Sequence, residues 1–170
     1  MANILVAYYS RSGSTAHVAR AVAGRLGADL DPIRSTASYA GVGGFLKGVW
    51  HSIRRHSPEV AWTEDPGRHT VIILGSPVWA GRLSGPMRSY LRRNRGLKGA
   101  VAAFCLSGSG SEASFFREVE QILGRAPVAT LSLAQRDVVK GAFDDELQVF
   151  VEQVRAALGK TQRRRAKPRA

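Results

Sequence analysis

A single cysteine, Cys105, in a chain of 170 residues leaves no internal disulfide to form. That excludes a disulfide-stapled scaffold and fits a reducing compartment. No stretch approaches the ~18–20 consecutive apolar residues of a membrane-spanning helix, and the N-terminus lacks the charged and apolar regions of a secretory signal. Both absences point to a soluble cytoplasmic protein. Acids are also scarce, 13 Asp and Glu against 25 Lys and Arg, for a formal net charge of +12. The histidines His17, His51, His56 and His69 lack paired metal-ligand spacing, so no metal is expected. With 44% hydrophobic and 22% charged residues, the composition is that of a globular domain, which excludes disorder throughout and a collagen-like repeat.

The positive charge is unevenly spread. Lys160, Arg163, Arg164, Arg165, Lys167 and Arg169 fall within residues 160–170, which contain no acid. Taking these six from the 25 basic residues leaves 19 against 13 acids, or +6, on residues 1–159. The expectation is therefore a domain over 1–159 and a disordered basic tail over 160–170. A solvated terminus is the ordinary fate of such a tail, and nucleic acid or an anionic membrane is the partner its charge would suit.

Within the domain, short apolar runs alternate with longer amphipathic segments, the pattern of an α/β sheet covered by helices on both faces. Strands are expected at Ile4–Tyr9, Asp29–Ile33, Thr70–Leu74, Ala100–Leu106 and Val128–Leu133. The first is continuously apolar, as a central parallel strand should be. Helices are expected over Ser14–Leu26, where Val18, Ala21, Val22 and Leu26 recur at helical spacing before Gly27, and over Pro86–Arg93 and Glu112–Leu123. A last one, Asp144–Leu158, has acids in its first turn to complement the helix dipole. Phe45, Leu46, Val49, Trp50 and Ile53 form a further apolar stripe with Lys47, His51, Arg54 and Arg55 around it. That helix is expected to pack on its own sheet, although its apolar residues would also suit a homodimer face.

Ligands of an open α/β sheet bind beyond the carboxyl ends of the strands, where strand order reverses. Three strand ends carry unusual residues. After the first comes Ser10-Arg11-Ser12-Gly13-Ser14-Thr15, hydroxyls and a glycine running straight into a helix start, where unpaired N–H groups and the dipole favour a phosphate. It is neither a G-x-x-x-x-G-K-[ST] loop nor a G-x-G-x-x-G turn. Gly75-Ser76-Pro77-Val78-Trp79-Ala80-Gly81-Arg82 follows the third strand; its tryptophan either closes the core or offers a flat apolar surface to a planar ring. Ser107-Gly108-Ser109-Gly110-Ser111 follows the fourth and could bring backbone amides to a polar ring edge. Other chemistries on such a scaffold are missing. Residues 74–79 hold no phosphorylatable Asp, the residue six after Cys105 is Ser111 where C-x5-R needs Arg, and no G-x-S-x-G elbow occurs. Cys105, inside an apolar strand, reads as an inert core thiol.

The segments ILVAYYSRSGSTAHVA, VIILGSPVWAGRLSGPMRSYL and AAFCLSGSGSE, in this order, resemble the flavodoxin-like flavoproteins, most nearly the short bacterial flavodoxin family, over about residues 3–158. The resemblance implies a three-layer α/β/α fold with a five-stranded parallel sheet in order 2-1-3-4-5. It implies flavin mononucleotide (FMN) as cofactor, its phosphate on Ser10, Arg11, Ser12, Gly13, Ser14 and Thr15. Pro77, Val78, Trp79, Ala80 and Gly81 would line the flavin ring, with Trp79 stacking on it, and Ser107, Gly108, Ser109 and Gly110 would meet its pyrimidine edge. Many flavodoxins place a second aromatic in the third loop; here Ser109, Ser111 and Glu112 stand there, and Phe115 and Phe116 are expected to face the core. An open ring face and a basic chain favour an oxidoreductase taking electrons from NAD(P)H to a quinone-like acceptor. Arg11 and Arg82 are candidates for raising the flavin's potential and for attracting a phosphorylated pyridine nucleotide. No side chain is expected to act as acid or base. An electron-transfer flavodoxin and a flavin-free binding module are the alternatives.

Overall fold

Alternation along each central strand divides the core in two, and helices close both halves. The computed structural model describes residues 3–36, 43, 44, 46, 50, 58–108 and 112–166. Strand β1 (Ile4–Tyr8) lies between β2 (Asp29–Pro32) and β5 (Val71–Trp79), followed by β7 (Ala100–Ser107) and β8 (Thr130–Ala134), all parallel. Counting these long strands alone, the order is the expected 2-1-3-4-5. Ile4, Val6, Val71, Ile73, Ala102, Phe104 and Leu106 point to one side, against Val18 and Val22 of α1 (Ser14–Leu26) and Leu147, Phe150 and Val154 of the last helix. Leu5, Ala7, Ile72, Leu74, Val101, Ala103 and Cys105 point to the other. There they meet Met87, Tyr90 and Leu91 of α2 (Gly85–Arg93) and Phe115 and Val119 of α3 (Ala113–Leu123). Strands buried on both faces need this continuous apolar sequence, because each successive side chain enters a different core.

The structure departs from expectation at several places. The third long strand does not end at Leu74: residues 75–79 continue β5, pairing Ser76 with Cys105 and Pro77 with Leu106. It then folds back on β6 (Arg82–Leu83) through Val78–Leu83 and Trp79–Arg82 pairs. Ala80 (φ 50°) and Gly81 (φ 71°) form the two-residue turn, both in the left-handed region that matches the twist of a tight hairpin. Short strands β3 (Arg34–Ser35) and β4 (Val60–Ala61) make a separate antiparallel ribbon, and α4 (Gln135–Lys140) follows β8. The last helix, α5 (Asp144–Ala166), runs past Leu158 into the residues expected to be disordered. Gln, Arg, Lys and Ala are good helix formers, cations suit a helix C-terminus, and Pro168 comes only later. Residues 43, 44, 46 and 50 are helical, and Leu46 and Trp50 are 62% and 54% exposed. Phe45, Lys47, Val49, His51, Ile53, Arg54, Arg55 and His56 lie outside the described residues, as do residues 167–170.

Among the described residues two glycines are required by packing: a Cβ on Gly99 would stand 2.7 Å from the His69 carbonyl oxygen and 2.9 Å from that of Thr70. One on Gly75 would stand 2.2 Å from the Phe104 ring, its neighbour on β7. Gly75→Ala is expected to lower stability in urea unfolding by about 1–3 kcal/mol, and its combination with Phe104→Leu to cost less than the sum of the two singles. At the hairpin tip, Ala80→Asn is expected to raise stability by about 0.5–1 kcal/mol, because Asn tolerates a left-handed backbone better than Ala.

Candidate functional site

The carboxyl ends of β1, β5 and β7 are adjacent, so the three segments singled out from the sequence lie side by side at one edge of the sheet. Tyr9 N–H donates to the Gly75 carbonyl (2.9 Å) and Ile33 N–H to the Tyr8 carbonyl (2.8 Å), tying the end of β1 between both neighbours at the switch point. The chain then turns through Ser10–Gly13. Gly13 N–H donates to Ser10 Oγ (3.1 Å), and Gly13 itself has φ 97°, a conformation an L side chain rarely adopts. It occupies the N-cap of α1, yet among the described residues no side chain caps the helix, and its first turn holds no acid. The leading N–H groups of α1 therefore lack intrahelical partners and are left for an outside acceptor. Around them Thr15 is buried, Ser10 and Ser14 are half-buried, and Arg11 and Ser12 are exposed. Ser14 Oγ accepts from Gln135 Nε2 (2.7 Å), so the start of α4 braces the loop. A cleft of about 420 Å³ opens between this turn and residues 32–35, with Arg34 on its far wall.

At the second segment, Trp79 is only 4% exposed and meets Tyr9 edge-on, ring centroids 5.7 Å apart at 90°. Of the two roles open to it, closing the core is the one observed. Pro77, Val78 and Gly81 are half-buried and Ala80 is exposed. The hairpin carrying them is held from beneath by a buried ion pair. Arg88 on α2 is fully buried; its Nε donates to Glu118 Oε1 (2.6 Å) and its Nη2 to the Leu83 carbonyl (2.8 Å). Glu118 on α3 in turn accepts from Leu83 N–H (3.2 Å). Both backbone polar groups of Leu83 are thereby satisfied by one guanidinium–carboxylate pair, which fastens β6 to two helices.

At the third segment, Ser107 is buried and its Oγ donates to Glu112 Oε1 (2.7 Å), clasping the two ends of the loop. Gly108 is exposed, while Ser109, Gly110 and Ser111 lie outside the described residues. Phe115 is buried and Phe116 half-buried in the core beneath, as expected. Cys105 is fully buried, its thiol pushed up to about 12, chiefly by burial, while its hydrogen bond to Ser132 opposes the shift and Glu112 adds to it. The Tyr90 phenol is likewise raised by burial, then by Asp31 and Asp65. Asp31, buried at the end of β2, accepts from Thr63 and Glu64 N–H groups (3.0 and 2.9 Å). Sequence reading missed Gln135, Arg88, Glu118 and Asp31. Gln135 alone had a usable signal, since it directly follows a strand whose carboxyl end belongs to the same edge.

No family model and no curated protein matches the chain. Solved structures do. A flavoprotein in complex with FMN from Lactobacillus acidophilus superposes with TM-score 0.69 at 21% identity, over 82% of this chain and 98% of the other. A WrbA-like flavodoxin from Agrobacterium tumefaciens gives 0.60 at 15% identity, over 92% and 98%. A flavodoxin from Archaea gives 0.57 at 17%, over 94% and 99%. The chain has the flavodoxin-like fold.

The buried pair yields a direct expectation. Glu118→Gln or Arg88→Met, each stranding one member of the pair, should cost about 3–5 kcal/mol in chemical unfolding. The double variant Arg88→Met/Glu118→Leu should recover a good part of that loss, because no uncompensated charge remains.

Proposed function

We propose that the chain binds FMN and works as an FMN-dependent oxidoreductase, passing electrons from NAD(P)H to a quinone-like acceptor. The observation that carries the reading is the uncapped, acid-free start of α1 at the switch point of the sheet, with Gly13 in a left-handed conformation before it. A phosphate would complete that helix end, accepting from its N–H groups and from the hydroxyls of Ser10, Ser12, Ser14 and Thr15 beside Arg11. Further support comes from the shared fold with the Lactobacillus acidophilus flavoprotein, whose structure contains FMN.

In this assignment Pro77, Val78, Ala80 and Gly81 line the ring, and Ser107, Gly108, Ser109 and Gly110 meet its pyrimidine edge. Trp79 backs that wall from the core side instead of stacking, since its indole is covered and edge-on to Tyr9. When bound, FMN would accept a hydride from NAD(P)H and pass the electron pair to the acceptor; the chain contributes binding, orientation and field. Arg11 and Arg82 supply positive charge at this edge, which favours an anionic reduced ring. Residues 1–159 form the working unit in this reading, with 160–170 a basic appendage. A second reading, an electron carrier, draws on the likeness to flavodoxins such as that of Streptococcus pneumoniae, which matches with TM-score 0.56 at 14% identity.

Titrating flavin-stripped protein with FMN and with riboflavin, followed by flavin fluorescence, tests the assignment. FMN is expected to bind at least about 100-fold more tightly than riboflavin, and Ser12→Ala to weaken FMN about tenfold, the usual size of a lost charge-assisted hydrogen bond. Absence of FMN binding would overturn both redox readings. Rapid mixing of the loaded protein with NAD(P)H then separates them, since direct reduction is expected of the enzyme and a carrier requires a separate reductase.

A further inference from the structure

A second cleft lies on the far side of the β5–β6 hairpin, between its tip and α3. It measures about 350 Å³ and is lined by Ala80, Gly81, Arg82, Ser114, Arg117, Glu118 and Gln121. Its walls carry two guanidinium groups, a hydroxyl and an amide. The single carboxylate among them, Glu118, is neutralised by the buried Arg88 at 2.6 Å, so the local balance is positive. Arg82 is half-buried and its backbone pairs with Trp79, but among the described residues its guanidinium has no hydrogen-bond or ion-pair partner. Its fixed charge cannot be relieved by deprotonation. Arg117 leans back on its own helix, donating to the Ala113 carbonyl (3.3 Å) and to Ser114 Oγ (3.4 Å), both long bonds that leave most of its donor fork unused. An arginine with no counterion at a concave surface, beside a second arginine and two neutral polar groups, matches the needs of a phosphate monoester: bidentate, charge-assisted donors on more than one side.

Location narrows the ligand further. Ala80 and Gly81 belong both to this cleft and to the segment assigned above to the cofactor ring, so the cleft adjoins the place where an electron donor must dock. Among the described residues, the exposed Arg11, Arg34 and Arg136 stand by the α1 loop, on β3 and at the start of α4, and do not line it. We infer that the Arg82–Arg117 cleft binds the phosphate monoester of a phosphorylated pyridine nucleotide and gives the chain a preference for the phosphorylated over the unphosphorylated donor. The inference deepens the FMN reading and rests on it for its redox purpose, but the binding itself can be measured apart from it.

The probe is adenosine 2′,5′-bisphosphate, compared by calorimetry with adenosine 5′-monophosphate and with inorganic phosphate, on protein with and without FMN. The bisphosphate is expected to bind at least about tenfold more tightly than either comparison ligand. Arg82→Gln and Arg117→Gln are each expected to remove most of that advantage while leaving the monophosphate as it was, and Arg82→Lys to restore part of it. Equal binding of bisphosphate and monophosphate, or an advantage that survives both substitutions, would overturn the inference. Inorganic phosphate binding as tightly as the bisphosphate would also overturn it, by making the site one for free phosphate. FMN titration of each variant runs alongside, so that failure of the cofactor assignment is told apart from failure of the cleft.

Discussion

The Arg88–Glu118 pair is the constraint around which the functional edge is arranged. A guanidinium buried without a counterion is far outside what folding can sustain, so wherever Arg88 goes, Glu118 and the carbonyl of Leu83 must follow. Stability alone does not explain the arrangement, because a well-packed apolar pair would serve as well at this depth. What the pair adds is direction. Its hydrogen bonds satisfy the backbone of Leu83 on both sides, and Leu83 is paired with Val78 across the hairpin. The position of residues 77–81 relative to α2 and α3 is therefore set by polar geometry, with apolar packing filling in around it.

A second constraint acts at β1. The strand is held on both sides, by Gly75 and by Ile33, up to the residue where the loop departs. Rigid up to that point and left-handed at Gly13, the chain delivers the first turn of α1 with its donors unengaged. Preorganisation of this kind spares a bound anion the work of ordering the loop. The ordering has already been met by folding, through the sheet and through Gln135.

Much of this was legible in the sequence, for physical reasons. Strands buried on both faces have no polar alternation, so ILVAY, VIIL and AVAAFCL stand out. Helix α1 has a clean apolar stripe and a glycine at each end. Other features were hidden because the sequence signal is the same for two outcomes. Gly75-Ser76-Pro77 reads as a strand end, yet the strand continues because β7 supplies partners that sequence does not announce and Phe104 needs the space a glycine leaves. Arg88, a few residues from Arg92 and Arg93, looks like one more solvated cation; only the approach of α3 makes it the most deeply placed of the three. Trp79 carries equal signals for a core plug and a ring platform. Tyr9 decides between them. The basic stretch after Leu158 lacks apolar periodicity, which removes evidence of packing but says nothing against a helix continuing on propensity alone.

Cys105 has a practical consequence of a different kind. The only thiol of the chain is fully enclosed in the sheet and almost entirely protonated at neutral pH, and alkylating reagents attack the exposed thiolate. The native protein is therefore a silent background for thiol labelling. A cysteine placed at Ala80, or on the outer face of α1, would carry a spin label or fluorophore at that position alone, with no need to remove a native residue first. Distances across the functional edge can be followed in the intact protein by that route.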